Sequence, residues 1–127
     1  MDIRTHLETN QRLCGRPLEV GEGHSRVELR TTAEMAVDVR GLTHGGFVFG
    51  LADYAAMIAV NDPNVVLGAA EVKFLKPLQT GDTVVAEART SEVAGRKHKV
   101  AVSVTQDGQP VFTGTFVCFV LDRHVLD

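Results

Sequence analysis

The chain has no tryptophan, one tyrosine and only two cysteines among 127 residues. Cys14 and Cys118 lie far apart, and the five histidines (6, 24, 44, 98 and 124) form no His-x-x-x-His pair. The ligand spacing of a structural zinc site is therefore missing, and no metal is expected. Two unpaired, packed thiols suit an intracellular, cytoplasmic chain. Positive charge is also in short supply: 13 Lys and Arg stand against 16 Asp and Glu, a net charge of −3. That balance removes the electrostatic footprint of a nucleic-acid binder. The longest apolar run, Phe47 to Val60, is interrupted by Asp53 and too short to span a bilayer, so no membrane association is expected. Met1–Glu8 is polar and acidic, unlike a secretory leader. Repeats, linkers and low-complexity segments are absent, which predicts a single domain over 1–127 with one core.

What is present is a set of short periodic segments. Ile3, Leu7 and Leu13 predict a short amphipathic helix over 2–13, stopped by Gly15 and Pro17. Alternation from Leu18 to Thr31, with Gly21-Glu22-Gly23 inside it, predicts a hairpin or a bent strand. Residues 32–43 read as a loop. A helix follows over about 45–60, apolar nearly all round and stopped by Asn61-Asp62-Pro63-Asn64. Four strands are predicted at 66–76, 82–94, 98–106 and 110–121, and their short connections imply an antiparallel meander. One buried helix with such a sheet gives an α+β class, the sheet curling around the helix. Apolar strand residues left outside would need a second cover, which self-association supplies.

The stretch Thr43-His44-Gly45-Gly46 through Asp53 carries the chemistry. With Gly46 at zero and about 100° per residue, Gly50 falls near 40°, Asp53 near 340° and Met57 near 20°. Asp53 thus shares one stripe with two glycines. A carboxylate in an apolar helix is costly unless bonded, and glycine weakens a helix interior by roughly 1 kcal/mol against alanine. Two readings stay open at this stage. Either Asp53 is a paired core carboxylate and the glycines admit a strand, or the stripe receives a ligand.

His44-Gly45-Gly46, Leu51-Ala52-Asp53, Phe74-Leu75-Lys76-Pro77 and Gly81-Asp82 occur in the order and spacing of a known family. Over roughly residues 35–121 the chain resembles the hotdog-fold acyl-CoA thioesterases, in particular the phenylacetate-degradation type. The resemblance implies a helix wrapped by an antiparallel sheet, and dimers or dimers of dimers with sites at the subunit interface. It also implies hydrolysis of an acyl-CoA with no cofactor beyond the CoA of the substrate.

Thioester hydrolysis requires a stabiliser for the carbonyl oxygen and a base or nucleophile at its carbon. A helix start offers unpaired N–H groups and partial positive charge, and Gly45 and Gly46 let a carbonyl come close. Asp53 either activates a water or attacks directly. Gly46 and Asp53 are about 10 Å apart along one helix axis, so one helix cannot bring both to one carbonyl. A two-fold partner can. His44 either orients substrate or caps the helix. Members of the family carry a Ser or Thr on the strand after the helix, whereas this chain has Leu67-Gly68-Ala69-Ala70. Glu71 either replaces that hydroxyl or pairs with Lys73. Asp38 stands near the family's substrate-holding asparagine. Lys76, Arg96 and Lys97, with Lys73 and Lys99, are the candidate contacts for CoA phosphates. Phe47, Phe49, Tyr54, Met57 and Phe74 are candidate acyl-pocket residues. The missing hydroxyl motivates a rival reading, a non-catalytic acyl-CoA binding or sensing module; a dehydratase using His44 ranks last.

Overall fold

A computed structural model describes all 127 residues, Met1–Asp127, and its first segment departs from the expected helix over 2–13. Only Gln11–Cys14 is helical, a single turn (α1) capped by Asn10, whose Oδ1 accepts from the N–H groups of Arg12 and Leu13. His6 takes a φ of 56°, which no continuing helix allows. The segment is held instead by Asn61. Its Oδ1 accepts from Arg4 N–H at 2.7 Å, its Nδ2 donates to the Asp2 carbonyl at 2.8 Å, and its own carbonyl accepts from the Arg4 guanidinium. Long-range bonds at one buried residue outweigh a sparse periodic stripe, of which Leu7 is left exposed. Asn61 is itself left-handed (φ 55°). Asn61→Ala is expected to destabilise the fold by about 1–2 kcal/mol through lost hydrogen bonds and a left-handed alanine. Thermal unfolding and faster trypsin cleavage after Arg4 would measure it.

The six strands are β1 (Arg16–Gly21), β2 (His24–Arg30), β3 (Val65–Phe74), β4 (Thr83–Ala94), β5 (Lys97–Gln106) and β6 (Gln109–Val120). All pairings are antiparallel, in the order β1-β2-β4-β5-β6-β3. The expected meander holds for β4, β5 and β6, whose turns use Gly95 and Asp107-Gly108 at positive φ. It fails for β3, which pairs with β6 at the far edge and not with β4. The cause lies in the link after Phe74. Thr31 donates both its N–H and its hydroxyl to the Asp82 carbonyl, at 2.9 and 2.8 Å, fixing the start of β4 beside β2. Pro77 has no N–H for a continuing ladder, so the chain crosses over.

The long helix, Gly45–Val60 (α2), lies against one face of this curved sheet. Leu51, Ala52, Ala55, Ala56, Met57 and Ile58 are buried against alternate residues of the strands, among them Val27, Val84, Val100, Phe112 and Phe116. Alanines allow the close approach, and the buried Ser25 hydroxyl donates to the Ala55 carbonyl at 2.6 Å, tying β2 to the helix. This is the hotdog arrangement. The other face of the sheet does not need the apolar cover expected for it: it carries Arg26, Glu28, Glu87 and Arg89, with ion pairs among them. Exposed apolar side chains gather elsewhere, at Val37, Val39, Leu42, Phe74 and Leu75, around the start of α2.

Candidate functional site

The start of α2 is fixed by three main-chain bonds: Thr43 N–H to the Leu78 carbonyl, His44 N–H to the Met35 carbonyl, and Phe47 N–H to the His44 carbonyl. His44 then caps the helix, its Nδ1 accepting from Gly46 N–H at 2.7 Å. Of its two readings, capping is the one the geometry contains. A Cβ at residue 46 would lie 2.7 Å from that same nitrogen, so the glycine makes room for the cap. The Gly46 amide, expected as a carbonyl donor, is spent inside the chain. The Gly45 amide is not: no acceptor bonds to it. Gly45 lines a cavity of about 260 Å³ with Thr43, Val48, Phe74, Lys76 and Leu78.

Asp53 lies two turns further on, half-buried. Its Oδ1 is shielded from solvent and has no hydrogen-bond partner. It takes part in none of the ion pairs of the chain. The paired-carboxylate reading therefore does not apply within one chain. Burial pushes its pKa up to about 6. Its charge adds to the burial that raises the thiols of Cys14 and Cys118, which places Asp53 over the end of the sheet where Cys118 pairs with His98. One turn before it, a Cβ at Gly50 would meet nothing within 4 Å. No strand fills the notch beside Asp53. The reading of the glycines as room for a strand fails too.

The remaining candidates are scattered. The Asp38 Oδ1 accepts from Arg40 and Leu42 N–H groups at 3.0 and 3.2 Å, so it organises its own loop and does not line the helix-start cavity. Glu71 is exposed on edge strand β3, facing away from the core-packed Val72, and forms no pair with Lys73. Lys76 does line the cavity. Arg96 sits in the β4–β5 turn, paired with Asp122, and Lys97 opens β5. The register separates the basic groups: Lys76 lies by Val111 and Lys97 opposite Phe119, roughly 25 Å apart at strand spacing. Gly45 and Lys76 thus lie together at one end, and Asp53, near Cys118, lies toward the other.

Of the five candidate pocket residues only Phe74 lines the cavity. Tyr54 and Met57 are core, Phe49 stacks on Phe116 at 5.4 Å, and Phe47 meets the His44 ring edge-on at 6.0 Å. The residue that sequence reasoning passed over is Thr43. It is only 7% exposed, lines the cavity, and its hydroxyl bonds to nothing. Nothing in the local sequence distinguishes it from an ordinary loop threonine. The largest recess of the surface, about 810 Å³, is an open groove on the charged outer face of the sheet, on the side opposite α2. It contains neither Gly45 nor Asp53.

The sequence profile of the thioesterase superfamily matches residues 40–113, which include His44 to Gly46, Asp53 and Thr43. The chain is 53% identical to an uncharacterized protein of Pyrococcus horikoshii, whose crystal structure superposes with a TM-score of 0.99 over 100% of this chain and 98% of that one. A mutant of the phenylacetic acid degradation protein PaaI of Thermus thermophilus is 29% identical, with a TM-score of 0.79 over 86% of this chain and 95% of that one. A curated relative from Aquifex aeolicus, named methylthioribose-1-phosphate isomerase, is 52% identical over 123 residues. Those residues are 96% of this chain but 27% of that protein, so the chain spans about a quarter of that relative's length. Family profile, fold and helix-start motif agree, and the chain belongs to the thioesterase superfamily, as a hotdog-fold member similar to the phenylacetate-degradation type.

Proposed function

We propose that the chain hydrolyses an acyl-CoA thioester to free acid and CoA, in a site completed by a second copy of itself. The observation that carries this is the pairing of two unspent groups on α2: the Gly45 N–H at its start and the unpartnered Asp53 carboxylate further along. They face the needs of one carbonyl but lie about 12 Å apart along the axis at 1.5 Å per residue. In a two-fold dimer with antiparallel α2 helices, Asp53 in the middle of one helix meets the Gly45 start of the other. The same packing brings Lys76 of one copy and Arg96 and Lys97 of the other to flank a single site, where they suit the phosphates of CoA.

In this site the thioester oxygen accepts from Gly45 N–H, at the positive end of the helix dipole. Asp53 takes a proton from a water as that water attacks the carbonyl carbon. A carboxylate with a pKa of about 6 is a better base than an ordinary one and is still ionised at pH 7. The tetrahedral adduct collapses by breaking its C–S bond. The alkyl thiol of CoA is far more acidic than an alcohol, so it leaves as thiolate without a strong acid. Asp53 then returns its proton to the thiolate or to solvent, and acid and CoA depart.

Release of free thiol from a panel of short, long, aromatic and hydroxylated acyl-CoAs tests the reading. Turnover of at least one class is the expected result. Tight calorimetric binding of acyl-CoA with no thiol release would replace it by the binding-module reading.

A further inference from the structure

With Gly46 N–H committed to His44, one amide remains for the carbonyl oxygen, and the structure offers a second group beside it. Thr43 is two residues before Gly45, lines the same cavity, and is 7% exposed. Its hydroxyl is buried without a partner, although the buried hydroxyls of Thr31 and Ser25 elsewhere in the fold bond to carbonyls. A buried unbonded hydroxyl is costly. The backbone does not require it: Thr43 is extended, bridged to Ala36 and bonded to Leu78, and valine has the same shape and the same preference there. Apart from the exposed Lys76, the other side chains of the cavity wall are apolar, so the Thr43 hydroxyl is its only buried side-chain donor.

We infer that the Thr43 hydroxyl is the second ligand of the thioester oxygen, donating to it beside Gly45 N–H. The inference rests on the thioesterase reading above and adds a residue to its site. Main-chain bonds at Thr43 and His44 fix the backbone before substrate arrives, a β-branched side chain has few positions there, and a preorganised donor stabilises developing charge with little rearrangement.

Three variants of the whole chain test this: Thr43→Val and Thr43→Ala, which remove the hydroxyl, and Thr43→Ser, which keeps it. With the best acyl-CoA of the panel, Thr43→Val is expected to lower kcat by about 10–100-fold, with KM changed less than about threefold. Its melting temperature should equal or exceed that of the parent, because an unbonded hydroxyl has been removed. Thr43→Ala should show the same loss of kcat, and Thr43→Ser should stay within about threefold of the parent. A purely packing role would move stability and leave kcat alone. Parental kcat in Thr43→Val and Thr43→Ala would overturn the inference, the hydroxyl then merely holding a water. Absence of turnover in the parent itself would instead defeat the thioesterase reading. In that case calorimetry with a CoA analogue carrying a ketone in place of the thioester decides on Thr43. About tenfold weaker binding to Thr43→Val, with free CoA unaffected, supports the hydroxyl contact. Equal binding, or no binding to either protein, overturns it.

Discussion

Asp53→Asn is expected to lower acyl-CoA hydrolysis by about 10²–10⁴-fold, the usual worth of a positioned general base, while making the folded protein more stable above pH 7. The two effects share one cause. The carboxyl is raised from 3.8 to about 6 by burial and has no partner to offset it. Its unfolded counterpart loses its proton near pH 4 and the folded one near pH 6, so between those values the folded state binds more protons. Stability therefore falls as pH rises through that window, and the penalty is complete above it. At about 1.4 kcal/mol per pKa unit, a rise of about two units corresponds to about 3 kcal/mol. Partial exposure, and the desolvation of the asparagine itself, reduce the gain to about 1–2 kcal/mol. Melting curves at pH 4 and pH 8 check it: parent and variant should coincide at pH 4 and separate at pH 8. Hydrolysis by the parent should rise with pH through about 6 as the base ionises. Parental turnover in the variant would remove Asp53 from the chemistry, and unchanged stability at pH 8 would remove its burial penalty.

Gly45→Pro is the complementary prediction, and it separates the amide from the helix it begins. Gly45 is the first helical residue after the His44 cap. Proline is favoured at that position, since its missing N–H is one the helix cannot use. His44, with φ −61° and ψ 125°, already has the extended backbone that a following proline demands. The nearest obstacle to a Cβ there is the Phe74 ring edge at 3.1 Å, and Phe74 is 57% exposed and free to shift. The substitution should leave stability within about 1 kcal/mol. Turnover should fall by about 10²–10³-fold, because the N–H that holds the carbonyl oxygen is gone. Circular dichroism with steady-state kinetics measures both. A variant that keeps its helix and its activity would show that the Gly45 amide does no catalytic work.

Much of this was legible in the sequence. Asp53 interrupts an otherwise apolar helix, and helical geometry alone puts it on the glycine stripe too far from the helix start to share a carbonyl. Gly23, Gly95 and Gly108 marked the three hairpin turns that join β1 to β2, β4 to β5 and β5 to β6. Less legible was whatever depends on a distant partner. Residues 2–13 are shaped by Asn61, nearly sixty residues downstream, and β4 is started beside β2, away from β3, by bonds between Thr31 and Asp82. The division of labour between the two glycines was hidden as well, because it depends on which amide the His44 ring reaches. Thr43 stayed invisible because burial without a partner is a property of the packed chain. Asp38 illustrates the reverse case, a carboxylate in a suggestive position that turns out to hold its own loop.

In the proposed shared site, Asp53 of one subunit serves Gly45 of another. Asp53→Asn and Gly45→Pro subunits, carrying different affinity tags, should each be nearly inactive alone. Co-expressed, they form mixed dimers in which one site has lost both groups and the other retains both. With random pairing, half the dimers are mixed and half their sites are intact, so hydrolysis should return to about a quarter of the parental rate. Dual-tag purification should carry that activity with the mixed species. Mixed dimers that form but hydrolyse no faster than the two variants alone would contradict the shared site.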